Sequence, residues 1–95
     1  MSARIDVLLD GMDKEASTAV GDVLEERHAQ YSQWGEQNHD AYRWLAILSE
    51  EVGEMAQCAL HNEFGGKHRD RIMEEAVHVA AVALAIVECG LRNKW

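Results

Sequence analysis

Two short acidic motifs, Glu50-Glu51-Val52-Gly53-Glu54 and Glu74-Glu75-Ala76-Val77-His78, stand at matched distances on either side of Phe64-Gly65-Gly66. This pairing constrains the fold more than any other feature of the chain. Both motifs lie in proline-free sequence rich in Ala, Val, Leu and Glu, which is helical in character. Residues three apart on a helix share a face, so Glu51 projects with Glu54, and Glu75 with His78. Gly65 and Gly66 supply a chain reversal. Each helical arm rises about 1.5 Å per residue, so equal counts from the reversal mean equal heights. Position 54 then lies level with 75, and 51 with 78. A helical hairpin therefore gathers three carboxylates and an imidazole, the outline of a metal site.

The rest of the chain fits an all-α protein, an antiparallel helical bundle forming a single domain. Periodicity predicts main helices over 14–33, 41–62 and 67–89. Residues 34–40, Trp-Gly-Glu-Gln-Asn-His-Asp, form a loop by composition, with Asp40 as N-cap of the following helix. Gly90 is placed to end the last helix. Residues 1–13 read either as a short helix or as an N-terminal arm packing on a partner subunit. In 95 residues a lone core is marginal, and the last helix is apolar nearly all round after Glu75. A four-helix-type core completed by oligomerisation, as a homodimer or homotetramer, is the expectation. Cys58 and Cys89 sit among apolar residues at unequal distances from the turn, as buried, reduced thiols would.

Nine basic residues against seventeen acidic ones give a formal net charge of −8. Such a surface repels nucleic acid and anionic membrane, so neither is expected as a partner. It accepts an anionic substrate more readily when a divalent cation accompanies it. The apolar run from Ala76 to Val87, broken only by His78, is too short to span a bilayer. The opening residues lack a signal-peptide pattern, and the expected setting is cytoplasmic.

On a helical wheel Glu51 and Glu54 fall beside Trp44, Ile47 and Cys58, on the apolar side rather than opposite it. Glu75 and His78 share a side with Val82, Ile86 and Cys89. Ionised carboxylates in such surroundings are costly unless paired or metal-bound, and they repel one another. A hard divalent cation relieves both costs, and oxygen-rich ligation favours Mg²⁺, with Mn²⁺ possible.

Glu51-x-x-Glu54 followed by Glu75-x-x-His78 resembles the Glu-x-x-Glu … Glu-x-x-Asp signature of MazG-like proteins, in the all-α nucleoside triphosphate pyrophosphohydrolase superfamily. The upstream residues Glu26-Arg27, Gln30, Trp34-Gly35, Gln37, His39 and Trp44 are similar to those of short, phage-type members. The resemblance covers roughly residues 23–90. It implies metal-dependent hydrolysis of a (deoxy)nucleoside triphosphate to the monophosphate and pyrophosphate. It implies Glu51, Glu54 and Glu75 as metal ligands, with His78 standing where the family has Asp. Glu50, or Glu51 itself, would serve catalysis, Glu50 as acceptor of the attacking water's proton. For the base, Trp34, His39 and Trp44 would be the aromatic candidates, with Gln37 and Asn38 able to hydrogen-bond its edge, and Lys67, Arg69, Arg92 or Lys94 would face the phosphates.

His78 leaves three readings open: ligation of a softer metal than magnesium, orientation of water or phosphate without ligation, or a chain that binds nucleotides without turning them over. A rival arrangement is the ferritin-like di-iron bundle, which also uses Glu-x-x-His facing glutamates of another helix. The Trp-Gly … Gln-x-His loop before the first acidic helix argues against that rival.

Overall fold

The computed structural model describes residues 3–95 and consists of four helices joined by short segments, with no strand among the described residues. They are α1 (Ala3–Asp10), α2 (Lys14–Trp34), α3 (Ala41–Phe64) and α4 (Ile72–Arg92). Local chemistry sets the main boundaries. Asp13 and Asp40 hold extended backbone and accept the N–H groups of Ala16 at 2.7 Å and Arg43 at 2.8 Å, satisfying donors that a helix start leaves free. At the other ends, Gly35 and Gly65 take positive φ (70° and 90°) and return their N–H groups to Tyr31 and His61.

The most apolar helix, α4, lies between the other two and packs against both α3 and α2. Its apolar sequence demands this, because one neighbour covers only one stripe of a helix. The core joins Trp44 of α3 to Val82, Ala85 and Cys89 of α4, with Ile47, Leu48 and Ile86 packed around them. Early α2 residues share a cavity with Met73, and late ones with Val82 and Ala85, so α2 and α4 run the same way. The order is up, down, up, and α2 is locked to α4 by Arg27, whose guanidinium donates to both carboxylate oxygens of Glu88 at 2.6 and 3.1 Å. The α2–α3 loop is tied to the far end of α4. There Arg92 donates to Asn38 Oδ1 and to the Gln37 carbonyl, and Asn93 donates to Asn38 Oδ1.

The ends of α2 and α3 run one and two residues past the periodicity, to Trp34 and Phe64, and both boundaries of α4 differ by more. The last helix starts at Ile72 rather than 67, because residues 67–70 form a turn and Asp70 adopts φ 67°. This turn runs back along α3. His68 N–H donates to His61 Nδ1 at 3.1 Å, the two imidazoles stack at 5.2 Å, and Asp70 N–H donates to Asn62 Oδ1. Gly66 is required there, since any Cβ would run into the His61 ring. The descending segment places 61 against 68, so the hairpin register deduced from equal counts survives although its helical arms are unequal. At the other end, α4 continues through Gly90 to Arg92. Gly90 does not terminate the helix but makes room for Trp95, whose ring would lie 3.2 Å from an added Cβ and whose N–H donates to the Gly90 carbonyl.

Residues 3–10 of the first segment are helical and exposed almost throughout, with Leu9 half-buried. Cys58 and Cys89 are both buried and unbridged. No helix among the described residues is long and apolar enough to cross a membrane.

Candidate metal centre

Glu51 of α3 meets Glu75 and His78 of α4 where the hairpin register brings them level. One ligand atom from each lies within 4.8 Å of the other two, on the order of one ligand–cation–ligand span. Glu75 is buried, its side chain only 8% exposed, and its Oε2 stands 3.4 Å from His78 Nδ1. The Oε2 atoms of both Glu51 and Glu75 are buried and have no hydrogen-bond partner. Leaving such oxygens unpartnered costs on the order of 1–3 kcal/mol each, more when charged. The Glu51 carboxyl is pushed above the usual carboxylate range, first by burial and next by the charge of Glu54, while His78 opposes the shift. Two orphaned carboxylate oxygens and an imidazole fit a divalent cation, which would satisfy both oxygens and reverse the repulsion. Mixed oxygen and nitrogen donors suit Mn²⁺, Fe²⁺ or Zn²⁺ better than Mg²⁺.

Three cavities touch this cluster: one of about 380 Å³ on the α2 side is lined by Glu26, Glu74, Val77 and His78, among others, and two flank the carboxylates. Of these two, one, of about 260 Å³, is lined by Trp34, Gln37, Trp44, Gln30 and Glu51, among others. The indole of Trp34 is 61% exposed, whereas Trp44 is a core residue whose buried Nε1 has no partner. The second cavity, of about 250 Å³, lies on the turn side and is lined by Glu54, Cys58, His68, Arg71 and Glu75.

Of the residues singled out from sequence, Glu51, Glu75 and His78 converge. Glu54 is exposed and outside the three-residue cluster, but shares the turn-side cavity with Glu75. Glu50 is exposed and lines a different cavity with Asp40, Tyr42 and Arg43, since the helical step from Glu51 carries it to another face. Trp34 and Gln37 line the aromatic cavity; His39 stands behind it, its ring edge-on to Trp44 at 4.8 Å. Lys67 is exposed on the turn and lines neither flanking cavity. Arg92, bound to the α2–α3 loop, sits at the opposite end of α4 from Glu75.

The basic group nearest the cluster is Arg71, which the acidic motifs do not single out. Arg71 Nη2 lies 3.8 Å from Glu75 Oε1, while the same guanidinium holds Glu74 at 3.2 Å and lowers that carboxyl's pKa through the hydrogen bond. Glu26 and Gln30 of α2 were also given no role. Glu26 faces His78 at 3.7 Å, and Gln30 lines the aromatic cavity. Their signal was present: Glu26, Gln30 and Trp34 recur every fourth residue and so share one helical face. Nothing in the sequence, however, sets how deeply α2 sits against α4.

The geometry defines an all-helical protein with a two-carboxylate, one-histidine cluster beside an aromatic cavity. Comparison of the chain with protein-family models, with curated proteins and with solved structures finds no match.

Proposed function

We propose that this protein hydrolyses (deoxy)nucleoside triphosphates to the monophosphate and pyrophosphate with a divalent cation held by Glu51, Glu75 and His78. The observation that carries the reading is the pair of unpartnered carboxylate oxygens facing one imidazole, next to a cavity walled by Trp34 and Trp44. The MazG-like resemblance points the same way. A cation at this cluster would neutralise charge developing on the phosphate oxygens and orient the attacking water.

The remaining work falls to side chains. Trp34 offers an exposed ring for stacking a base, worth on the order of 1–3 kcal/mol, and Gln37 and Gln30, which line the same cavity, offer polar contacts to its edge. Of the carboxylates outside the cluster, Glu54 shares a cavity with Glu75 and is better placed than Glu50 to accept the water's proton. Arg71 and His68, in that same cavity, are the cationic and hydrogen-bonding groups nearest to a triphosphate tail. The substrate's own charge is compatible with the acidic surface only as a cation complex. Assembly into a homodimer or homotetramer belongs to this reading, because α4 and α3 keep apolar surface uncovered.

The deciding measurement is a panel of (d)NTPs with Mg²⁺ and with Mn²⁺, scoring monophosphate and pyrophosphate. Product is expected from the wild type, and Glu75→Gln should reduce it by at least about 100-fold, the scale of losing a key group in a buried polar site. Nucleotide binding without any product would leave a non-catalytic binder. Aerobic Fe²⁺ oxidation without nucleotide turnover would replace the reading with di-iron carboxylate chemistry.

A further inference from the structure

His78 has two ring nitrogens and two carboxylate neighbours. Nδ1 lies 3.4 Å from Glu75 Oε2, toward the cluster, and Nε2 lies 3.7 Å from Glu26 Oε1, away from it. Glu75 and His78 belong to α4, whereas Glu26 comes from α2, so the second carboxylate is delivered by tertiary packing and not by helical spacing. Glu26 is itself held: Gln30 Nε2 donates to its Oε2 at 3.2 Å, leaving Oε1 for the imidazole. Gln30 in turn lines the aromatic cavity beside Trp34 and Glu51.

From this arrangement we infer that Glu26 is a positioning residue for His78. Its carboxylate accepts the Nε2 proton, fixes the imidazole in the tautomer with a free lone pair on Nδ1, and turns that lone pair toward the cation. The inference rests on the metal reading of the cluster, not on nucleotide turnover. A neutral imidazole can present either nitrogen, and the hydrogen bond made by one selects the other for the metal. Carboxylates that orient a ligating histidine in this way also raise its basicity, and removing them typically weakens metal binding by about 10- to 100-fold. The bond would have to shorten by a few tenths of an ångström to reach hydrogen-bond range. Both side chains are 28% exposed, which leaves room for that adjustment. Because Gln30 touches both Glu26 and the aromatic cavity, the same chain of contacts connects the base side of the site to its histidine ligand.

The test uses metal binding and spectroscopy on the full-length protein. Mn²⁺ affinity is measured by calorimetry for the wild type, Glu75→Gln, Glu26→Ala and Glu26→Gln, with helicity checked by circular dichroism. Glu75→Gln should abolish binding. Glu26→Ala should weaken it by about 10- to 100-fold, and Glu26→Gln, which keeps an oxygen acceptor without the charge, by less. In the Zn²⁺-loaded wild type, ¹⁵N spectra should place the metal on Nδ1 of His78 and a slowly exchanging proton on Nε2. That proton should exchange out of the spectrum in Glu26→Ala. Glu75→Gln binding as tightly as the wild type, or a wild type that binds no Mn²⁺, overturns the metal reading and this inference with it. Loss of binding in Glu75→Gln with unchanged affinity in Glu26→Ala overturns the role of Glu26 alone. So does a spectrum with the metal on Nε2, which needs no variant to fold.

Discussion

Glu51 is the residue at which the needs of folding and of the site conflict most directly. Its carboxyl titrates above the usual carboxylate range because burial and the Glu54 charge disfavour its ionised form. Between the unfolded value and the raised one, the folded protein therefore binds more of this proton than the unfolded chain does. Stability of the metal-free protein is thus fully supported near and below the unfolded value and falls as pH rises through the elevated one. Glu51→Gln removes that dependence. At pH 7 the metal-free variant should melt above the wild type, by about 4–8 °C for each kcal/mol recovered, with solvent screening at this partly exposed carboxyl holding the gain below about 1 kcal/mol. The wild type should gain melting temperature on adding Mn²⁺, and the variant should not. Scanning calorimetry at pH 5 and pH 7, with and without Mn²⁺, checks both; a variant that melts lower yet still responds to Mn²⁺ contradicts the account. His78 permits a complementary change. His78→Asp converts the donor set to three carboxylates, which should raise the ratio of Mg²⁺- to Mn²⁺-supported pyrophosphate release by roughly tenfold, about 1.4 kcal/mol. An unchanged ratio would mean that His78 does not ligate.

At the scale of elements, α4 does the organising, and the Arg27–Glu88 pair is the shortest polar contact fastening α2 to it. Arg27 is 8% exposed and its partner Glu88 is part-buried, so the pair anchors α2 across α4 in a setting with limited solvent screening. Arg27→Ala strands Glu88 and opens a gap at the interface. With the partner side chain 35% exposed, the loss should be about 2 kcal/mol, below the 3–5 kcal/mol of a fully buried pair. Urea titration should show a lower midpoint, and weaker Mn²⁺ binding should follow because Glu26 rides on the same helix. This contact explains what the sequence could and could not reveal. Asp40 was legible as a cap, and the meeting of Glu51 with Glu75 and His78 was legible from helical spacing and hairpin register, whereas Glu54, which the same spacing grouped with them, stands outside the cluster. The late start of α4 was not legible, since the αL conformation of Asp70 is stabilised by Asn62, a residue on the preceding helix. Gly90 looked like a helix stop because its role, making room for Trp95, appears only once the tail folds back. The Glu26–His78 encounter was hidden for the same reason: it depends on how two helices without sequence linkage come to lie together.

For the whole molecule, the dimensions are those of a chain more open than a compact monomer. The accessible surface is 7011 Å², whereas a compact monomer of this mass exposes about 5,500 Å². The radius of gyration is 15.1 Å, against about 12.4 Å for a compact domain of this length. The excess has a chemical identity. Leu45, Val52 and Leu60 are 60%, 46% and 56% exposed, and they fall on one side of α3, away from the side that carries Trp44 and Glu51 to the core. Leu8 and Val7 of α1 and Val87 and Leu91 of α4 are exposed as well. Covering roughly 1,500 Å² per chain would bury about 3,000 Å² in a dimer, within the range of permanent homodimer interfaces. The apolar second face of α3 is the natural place for it, because pairing two copies there would complete a four-helix arrangement while leaving the metal cluster on the opposite side intact. Sedimentation equilibrium should therefore give a dimer or tetramer at micromolar concentration, with a melting temperature that rises with protein concentration. Leu45→Glu combined with Val52→Glu should shift the chain to monomer and lower its melting temperature, by placing charges in the apolar contact. A wild-type monomer at tens of micromolar, with a melting temperature independent of concentration, would mean that the open three-helix layer is stable alone and that its exposed leucines serve some other contact.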